Sequence, residues 1–139
     1  MLPFVLSFSA DRPIYEQVVY AAKKAIVSGR LKPGDRFPSV RQLSQELRIN
    51  PNTAQKVVAA LTEEGLLEIR PGLFTLVASH QGATSAAGNK ALHAEAERLV
   101  VESMRHSIGL EQLHEAIDSA WIKLNTTNKH HDHRNSPNS

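Results

Sequence analysis

Five cationic side chains, Arg36, Arg41, Arg48, Lys56 and Arg70, fall between positions 36 and 70, interleaved with Ser39, Asn50, Asn52, Thr53 and Gln55. Guanidinium and ammonium groups pair with phosphate oxygens, and amides and hydroxyls hydrogen-bond the edges of bases. The chemistry this set supports is recognition rather than bond making. Arg30, Lys32, Arg36, Arg41, Arg48 and Lys56 are opposed in their stretch only by Asp35 and Glu46. Residues 1–78 hold ten Lys and Arg against seven Asp and Glu, whereas residues 79–139 hold six against seven. The positive excess thus lies with the amide-bearing segment, which suits a phosphate-facing surface, a solvated basic face being the plainer alternative.

Two short helices and a hairpin must position these groups. Pro33, Gly34 and Asp35 are turn residues, and Ser39 with Gln42 three places on is a capping-box pair, so a helix is expected to start at Ser39. Its apolar positions Val40, Leu43 and Leu47 form one stripe on a segment too short to stand alone. Asn50-Pro51 announces the next helix, an N-cap followed by proline where a missing N–H costs nothing. Ala54, Val57, Val58 and Leu61 face inward, and Gly65 ends the helix. Only Arg48 and Ile49 lie between the two, the spacing of a helix-turn-helix, which makes the second the candidate recognition helix, with Asn52, Thr53, Gln55 and Lys56 outward.

After Gly65 the period becomes alternating. Leu67 and Ile69 alternate with Glu68 and Arg70, and Arg70-Pro71-Gly72-Leu73 supplies a turn with glycine third. Phe74 to Val77 return as a second strand. A hairpin directly after a recognition helix is a wing, and Arg70 near its tip, with Gly72, is placed to meet an adjacent groove. Phe74 is read as a packed core residue, the alternative being an exposed wedge.

This stretch resembles the N-terminal domain of the GntR family of bacterial transcription regulators from about Pro13 to Val77. The blocks that carry the resemblance are Pro13-Ile14-Tyr15-Glu16-Gln17, Leu31-Lys32-Pro33-Gly34-Asp35, Pro38-Ser39-Val40-Arg41, Asn50-Pro51-Asn52-Thr53 and Glu64-Gly65-Leu66. The resemblance implies DNA contacts from Arg41 and from Asn52, Thr53 and their neighbours. The chain departs from the family where an arginine is common near 55 or 56, here Gln55-Lys56, and where the wing usually has a second glycine, here Phe74.

The first helix, about Pro13 to Ser28, places Ile14, Val18, Ala21, Ala22 and Ala25 on one face, with Lys23 and Lys24 outward for phosphate or for solubility. Before it, Phe4, Leu6 and Phe8 alternate as a short strand or a packing arm. With 139 residues and 41% apolar content the chain holds one modest core plus an appendage. It has no cysteine, hence no disulfide or thiolate metal site. No apolar run approaches the roughly 20 residues of a membrane span, and the opening LPFVLSF lacks a preceding Lys or Arg, so a cytoplasmic protein is expected.

Residues 79–89, SHQGATSAAGN, read as a linker. Leu92, Ala96, Leu99, Val100, Ser103 and Met104 then follow a helical stripe, and after Gly109 a second runs through Leu110, Leu113, Ile117, Ala120, Trp121 and Leu124. The expected fold is mainly α with a small β-hairpin: a winged helix-turn-helix over 1–78, the linker, a two-helix hairpin over 90–125, and a disordered tail over 126–139. Two helices alone have too little surface for both stripes. They are expected to pack on each other and on a second copy, with Leu92, Leu99, Val100, Met104, Leu113, Ile117 and Trp121 at the dimer interface.

So short a C-terminal region is similar to that of the YtrA-type subfamily. That likeness implies repression of operons, often of ABC transporters, by a dimer built on those helices, with little room for an enclosed ligand pocket. Double-stranded DNA and a second copy are the expected partners, and no small-molecule effector or cofactor is assigned. His130, His131 and His133 with Asp132 have the chemistry of a metal site but lie in the polar tail, and His93, His106 and His114 lack adjacent-turn ligand spacing, so no metal is expected. Nor is an enzyme: Ser7, Ser9, Ser28, Ser39 and Ser44 have no elbow glycines, and no Walker or dinucleotide loop occurs. The other class to weigh is a winged helix used as a protein-interaction module, which loss of Asn52, Thr53, Gln55 and Lys56 would have favoured.

Overall fold

The computed structural model describes residues 2–72, 74–79 and 86–134, with 127–134 by backbone alone. The chain divides into two compact units, one built on residues 1–80 and one on 81–126.

Helix α1 (Ile14–Val27) starts at Pro13 without a side-chain cap. Gln17 supplies the missing order: its amide N–H groups donate to the Ser9 and Arg12 carbonyls at 2.9 and 2.8 Å, and its oxygen accepts the Ser9 N–H at 2.9 Å. This ties down the arm before the helix, in which Phe4 is buried and stacks on Phe37 with centroids 6.1 Å apart. The alternating Phe4, Leu6 and Phe8 are thus a packing arm and not a strand.

Helix α2 (Val40–Leu47) and helix α3 (Pro51–Glu63) follow, α3 packing on both α1 and α2. Val18 of α1, Leu43 of α2, and Val57 and Leu61 of α3 are fully buried. Burial of this kind contributes about 1.5–3 kcal/mol per side chain, so the three short helices stand through one shared core. Gly65, at φ +80°, takes the left-handed position after α3, and the Leu66 and Gly65 N–H groups reach the carbonyls of Leu61 and Thr62. That turn aims the chain into strand β1 (Leu67–Arg70), which pairs antiparallel with β2 (Phe74–Val77) in the register Leu67 to Val77 and Arg70 to Phe74.

The second unit carries α4 (Ala86–Arg105) and, up to residue 126, α5 (Leu110–Arg134). Helix α4 begins within the segment expected to be a linker through residue 89. Ala86 and Ala87 are strong helix formers, and the one glycine, Gly88, costs only about 1 kcal/mol. Helix α5 likewise runs past residue 125 into the stretch expected to be disordered, because no glycine or proline interrupts positions 110–134. The rest of that tail, 135–139, lies outside the described residues. The two helices also approach each other closely only near their junction, instead of packing along their stripes as expected. Most of their apolar side chains stay exposed as a result.

Candidate nucleic-acid interface

The turn between α2 and α3 is held by the α2 end itself. Arg48 adopts φ 55° and ψ 48°, a left-handed conformation that reverses the chain within one residue. The Ser44 hydroxyl donates to the Ile49 carbonyl at 2.8 Å while the Ile49 N–H returns to the Ser44 carbonyl at 3.1 Å. Asn50 then caps α3, its side-chain oxygen accepting the Asn52 N–H at 2.8 Å. At the start of α2, Ser39 accepts the Gln42 N–H at 3.1 Å. The reciprocal half of the expected capping box is not formed: the Gln42 amide donates to Glu46 at 3.2 Å, one turn further along. Both caps use only an acceptor, leaving the Ser39 hydroxyl proton and the Asn50 amide hydrogens for an outside oxygen.

Ala54, Val57, Val58 and Leu61 turn inward from α3, which leaves Asn52, Gln55 and Lys56 exposed and Thr53 half-buried. Arg41 is exposed in the first turn of α2, and Arg48 is exposed at the turn. Among the described residues no carboxylate pairs with Arg41, Arg48 or Lys56. Their charges are free for phosphate, and the amides beside them sit where this motif meets base edges. Lys23, by contrast, is committed: its ammonium is 2.9 Å from Glu64 at the end of α3.

The wing is wider than the hairpin alone. The Gly34 N–H donates to the Val77 carbonyl at 2.9 Å, the Val77 N–H to Asp35 at 2.8 Å and the Phe37 N–H to Thr75 at 2.9 Å, so residues 34–37 line β2 as a third edge. The turn reading of Pro33-Gly34-Asp35 gave no sign of this, although the buried Phe37 beside a turn was its available signal. Gly72 has φ +76°, as glycine at the third place of the wing turn requires. Inward on the sheet lie Leu67 and Val77, and the alternation therefore turns Arg70, Phe74 and Leu76 outward. Phe74 is thus neither the packed core residue expected nor a bare wedge. It is half-buried on the outer face, with the Arg36 guanidinium 4.2 Å above the centre of its ring. Arg70 is exposed and lies 3.7 Å from Glu68.

In the second unit Leu92, Met104 and Trp121 are at least 66% exposed, and Leu99 and Ile117 are also exposed. Val100 is half-buried, and Leu113 is packed at the α4–α5 junction together with Ser103. Leu110, at the head of the second stripe, is exposed, as are Val101 and Ile122, which lie outside both stripes. An open concavity of about 400 Å³ at the junction is floored by Leu99, Ile108, Leu113 and Ala116. On its rim the Arg105 guanidinium hydrogen-bonds Glu102 and holds that carboxyl below the usual range. Among the described residues no group of histidines and carboxylates could hold a metal. The side chains of His130, His131, Asp132 and His133 lie outside the described residues.

Two helices locked by a tight turn, an unpaired basic and amide face on the second, and a three-edged wing define a winged helix-turn-helix DNA-binding protein. The match with known proteins is as specific. The gntR family of bacterial regulatory proteins covers residues 14–77. The HTH-type transcriptional repressor YtrA of Bacillus subtilis (strain 168) is 35% identical over 115 residues, 82% of this chain and 85% of that protein. YtrA from Sulfolobus acidocaldarius, a GntR-family transcription factor, shares the structure with a TM-score of 0.57 at 27% identity over 70% of this chain and 96% of its own. A transcriptional antiterminator from Listeria monocytogenes EGD-e has the same fold, with a TM-score of 0.78 at 22% identity over 88% of this chain and 92% of its own. The chain belongs to the GntR family of transcription regulators and is of the YtrA type. Its relatives are regulators and not enzymes, and among the described residues no helix is long and apolar enough to cross a membrane.

Proposed function

We propose that the protein is a cytoplasmic repressor that binds a palindromic operator as a homodimer. The observation that carries this reading is the exposed, carboxylate-free set of Arg41, Asn52, Gln55 and Lys56 on α2 and α3. Arg41 fixes the register on phosphate and reaches toward a base, and Asn52, Thr53, Gln55 and Lys56 read or anchor the half-site. Ser39 and Asn50 add donors at the helix starts, Arg36, Arg48 and Arg70 add phosphate contacts, and Gly72 lets the wing tip approach the backbone closely. The exposed Leu92, Leu99, Met104, Ile117 and Trp121, with Val100, supply the apolar surface for a second copy, since so much exposed apolar area is unusual on a monomer. A two-fold dimer presents two recognition helices to half-sites about one helical turn, roughly 34–36 Å, apart. Genes for transporters are the class of target that the YtrA likeness suggests.

The test is selection of bound duplexes from a randomised DNA pool with full-length protein at physiological salt. An inverted repeat is the expected outcome. Recovery of no motif, with binding that collapses as salt rises, would leave only phosphate contacts and overturn the operator reading.

A further inference from the structure

Phe74 raises a question that helix-turn-helix geometry does not answer: why a phenyl ring stands on the outer face of an exposed wing. The register supplies the mechanics. Arg36 lies opposite Leu76 across the third edge of the sheet, so Phe74, two residues back along β2, is its diagonal neighbour. Long side chains reach that distance. Arg36 does so, with its guanidinium carbon 4.2 Å from the ring centre.

We propose that Phe74 is a positioning residue for DNA binding, a platform that holds the Arg36 guanidinium on the outer face of the wing to take a phosphate of the DNA backbone. The proposal rests on the DNA-binding reading above. A guanidinium held over an aromatic face is attracted by the ring without meeting an oxygen acceptor, so its charge and its N–H donors stay available to phosphate. A carboxylate partner would orient the arginine equally well but would consume donors and cancel the charge. Arg70, paired across the strands with Phe74, lies 3.7 Å from Glu68, beyond hydrogen-bond distance but near enough to offset part of its charge. Among the described residues no carboxylate pairs with Arg36. The ring therefore removes side-chain freedom before binding without neutralising the group that binds. The same stack covers one face of Phe74, which argues against insertion of the ring between bases.

The test uses full-length protein and a fluorescein-labelled duplex of mixed random sequence, titrated by anisotropy across a salt series. Arg36→Gln, at an exposed position, should weaken binding and flatten the dependence of log K on log salt by about 0.9, the share of one phosphate. Phe74→Leu keeps an apolar side chain on the sheet and should weaken binding about threefold. Phe74→Tyr, which keeps the ring, should restore wild-type affinity, and Phe74→Leu should cost nothing further when added to Arg36→Gln. In the free protein, the ring-current shift of the Arg36 side-chain protons should be present in wild type and Phe74→Tyr and absent in Phe74→Leu, a readout that needs no DNA. Wild-type affinity in Phe74→Leu, or independent addition of the two effects, would overturn the platform while leaving DNA binding intact. A wild-type chain that binds no duplex at any salt would overturn both.

Discussion

Ser44 and Ile49 exchange two hydrogen bonds across the α2–α3 turn, hydroxyl to carbonyl at 2.8 Å and N–H to carbonyl at 3.1 Å. Ser103 and Ile108 do the same at the α4–α5 turn, both at 2.8 Å. In each case a left-handed residue, Arg48 or Ser107, immediately precedes the isoleucine. A serine five residues before an isoleucine thus closes these two helix junctions by one device.

Ser44→Ala should therefore loosen the junction that sets the angle of the recognition helix. The lost hydroxyl leaves a part-buried carbonyl without its donor, at a cost of about 1–2 kcal/mol. A thermal unfolding comparison by circular dichroism reads this as a lower midpoint for the variant. An unchanged midpoint would mean that water replaces the hydroxyl at no cost.

Gly65 makes a separate demand on the backbone. At φ +80° a Cβ would meet nothing within 4 Å, so a side chain is resisted by the backbone alone. Gly65→Ala should cost roughly 1–2 kcal/mol, and Gly65→Asn less, because asparagine tolerates the left-handed region. Chemical denaturation of the three proteins gives the order. Equal stability of Gly65→Ala and wild type would show that the α3–β1 turn can adopt another conformation.

The helix-turn-helix was legible because its punctuation is local: Ser39, Asn50-Pro51 and Gly65 each mark a boundary by their own backbone chemistry, and all three hold in the structure. What was not legible depends on contacts between distant segments. The Gln42 amide chose Glu46 over the Ser39 backbone, a choice between two polar partners that spacing does not decide. The third edge at residues 34–37 exists only because β2 offers it open carbonyl and N–H groups, and Phe74 took an outward place because the strand register fixed its parity. In the second unit the stripes were visible, but the separation of α4 and α5 was not, since apolar periodicity says that a face will be covered without saying by what.

That uncovered face gives the third prediction. A chain ending after Ser79 lacks α4 and α5, and with them the exposed Leu92, Met104 and Trp121, yet keeps the whole core around Leu43 and Leu61. It should sediment as a folded monomer and bind duplex DNA weakly, because each half-site then binds without the advantage of linkage to a second. Sedimentation of the truncated chain as a dimer would place the interface in the first unit.

Arg41 supplies the most direct test of the interface. Its side chain is exposed in the first turn of α2, and nothing among the described residues pairs with it, so its removal leaves no buried partner stranded. Arg41→Ala should fold as stably as wild type while losing affinity for the selected operator, by about 5- to 150-fold if it bonds a base edge, which corresponds to roughly 1–3 kcal/mol. If Arg41 meets only phosphate, the loss should be similar on operator and on random duplex, and the salt dependence should flatten by about one contact. Comparing the variant on both duplexes by anisotropy separates base reading from register fixing. Unchanged affinity on both would remove Arg41 from the interface and shift the task of orienting α3 to Arg48 and Lys56.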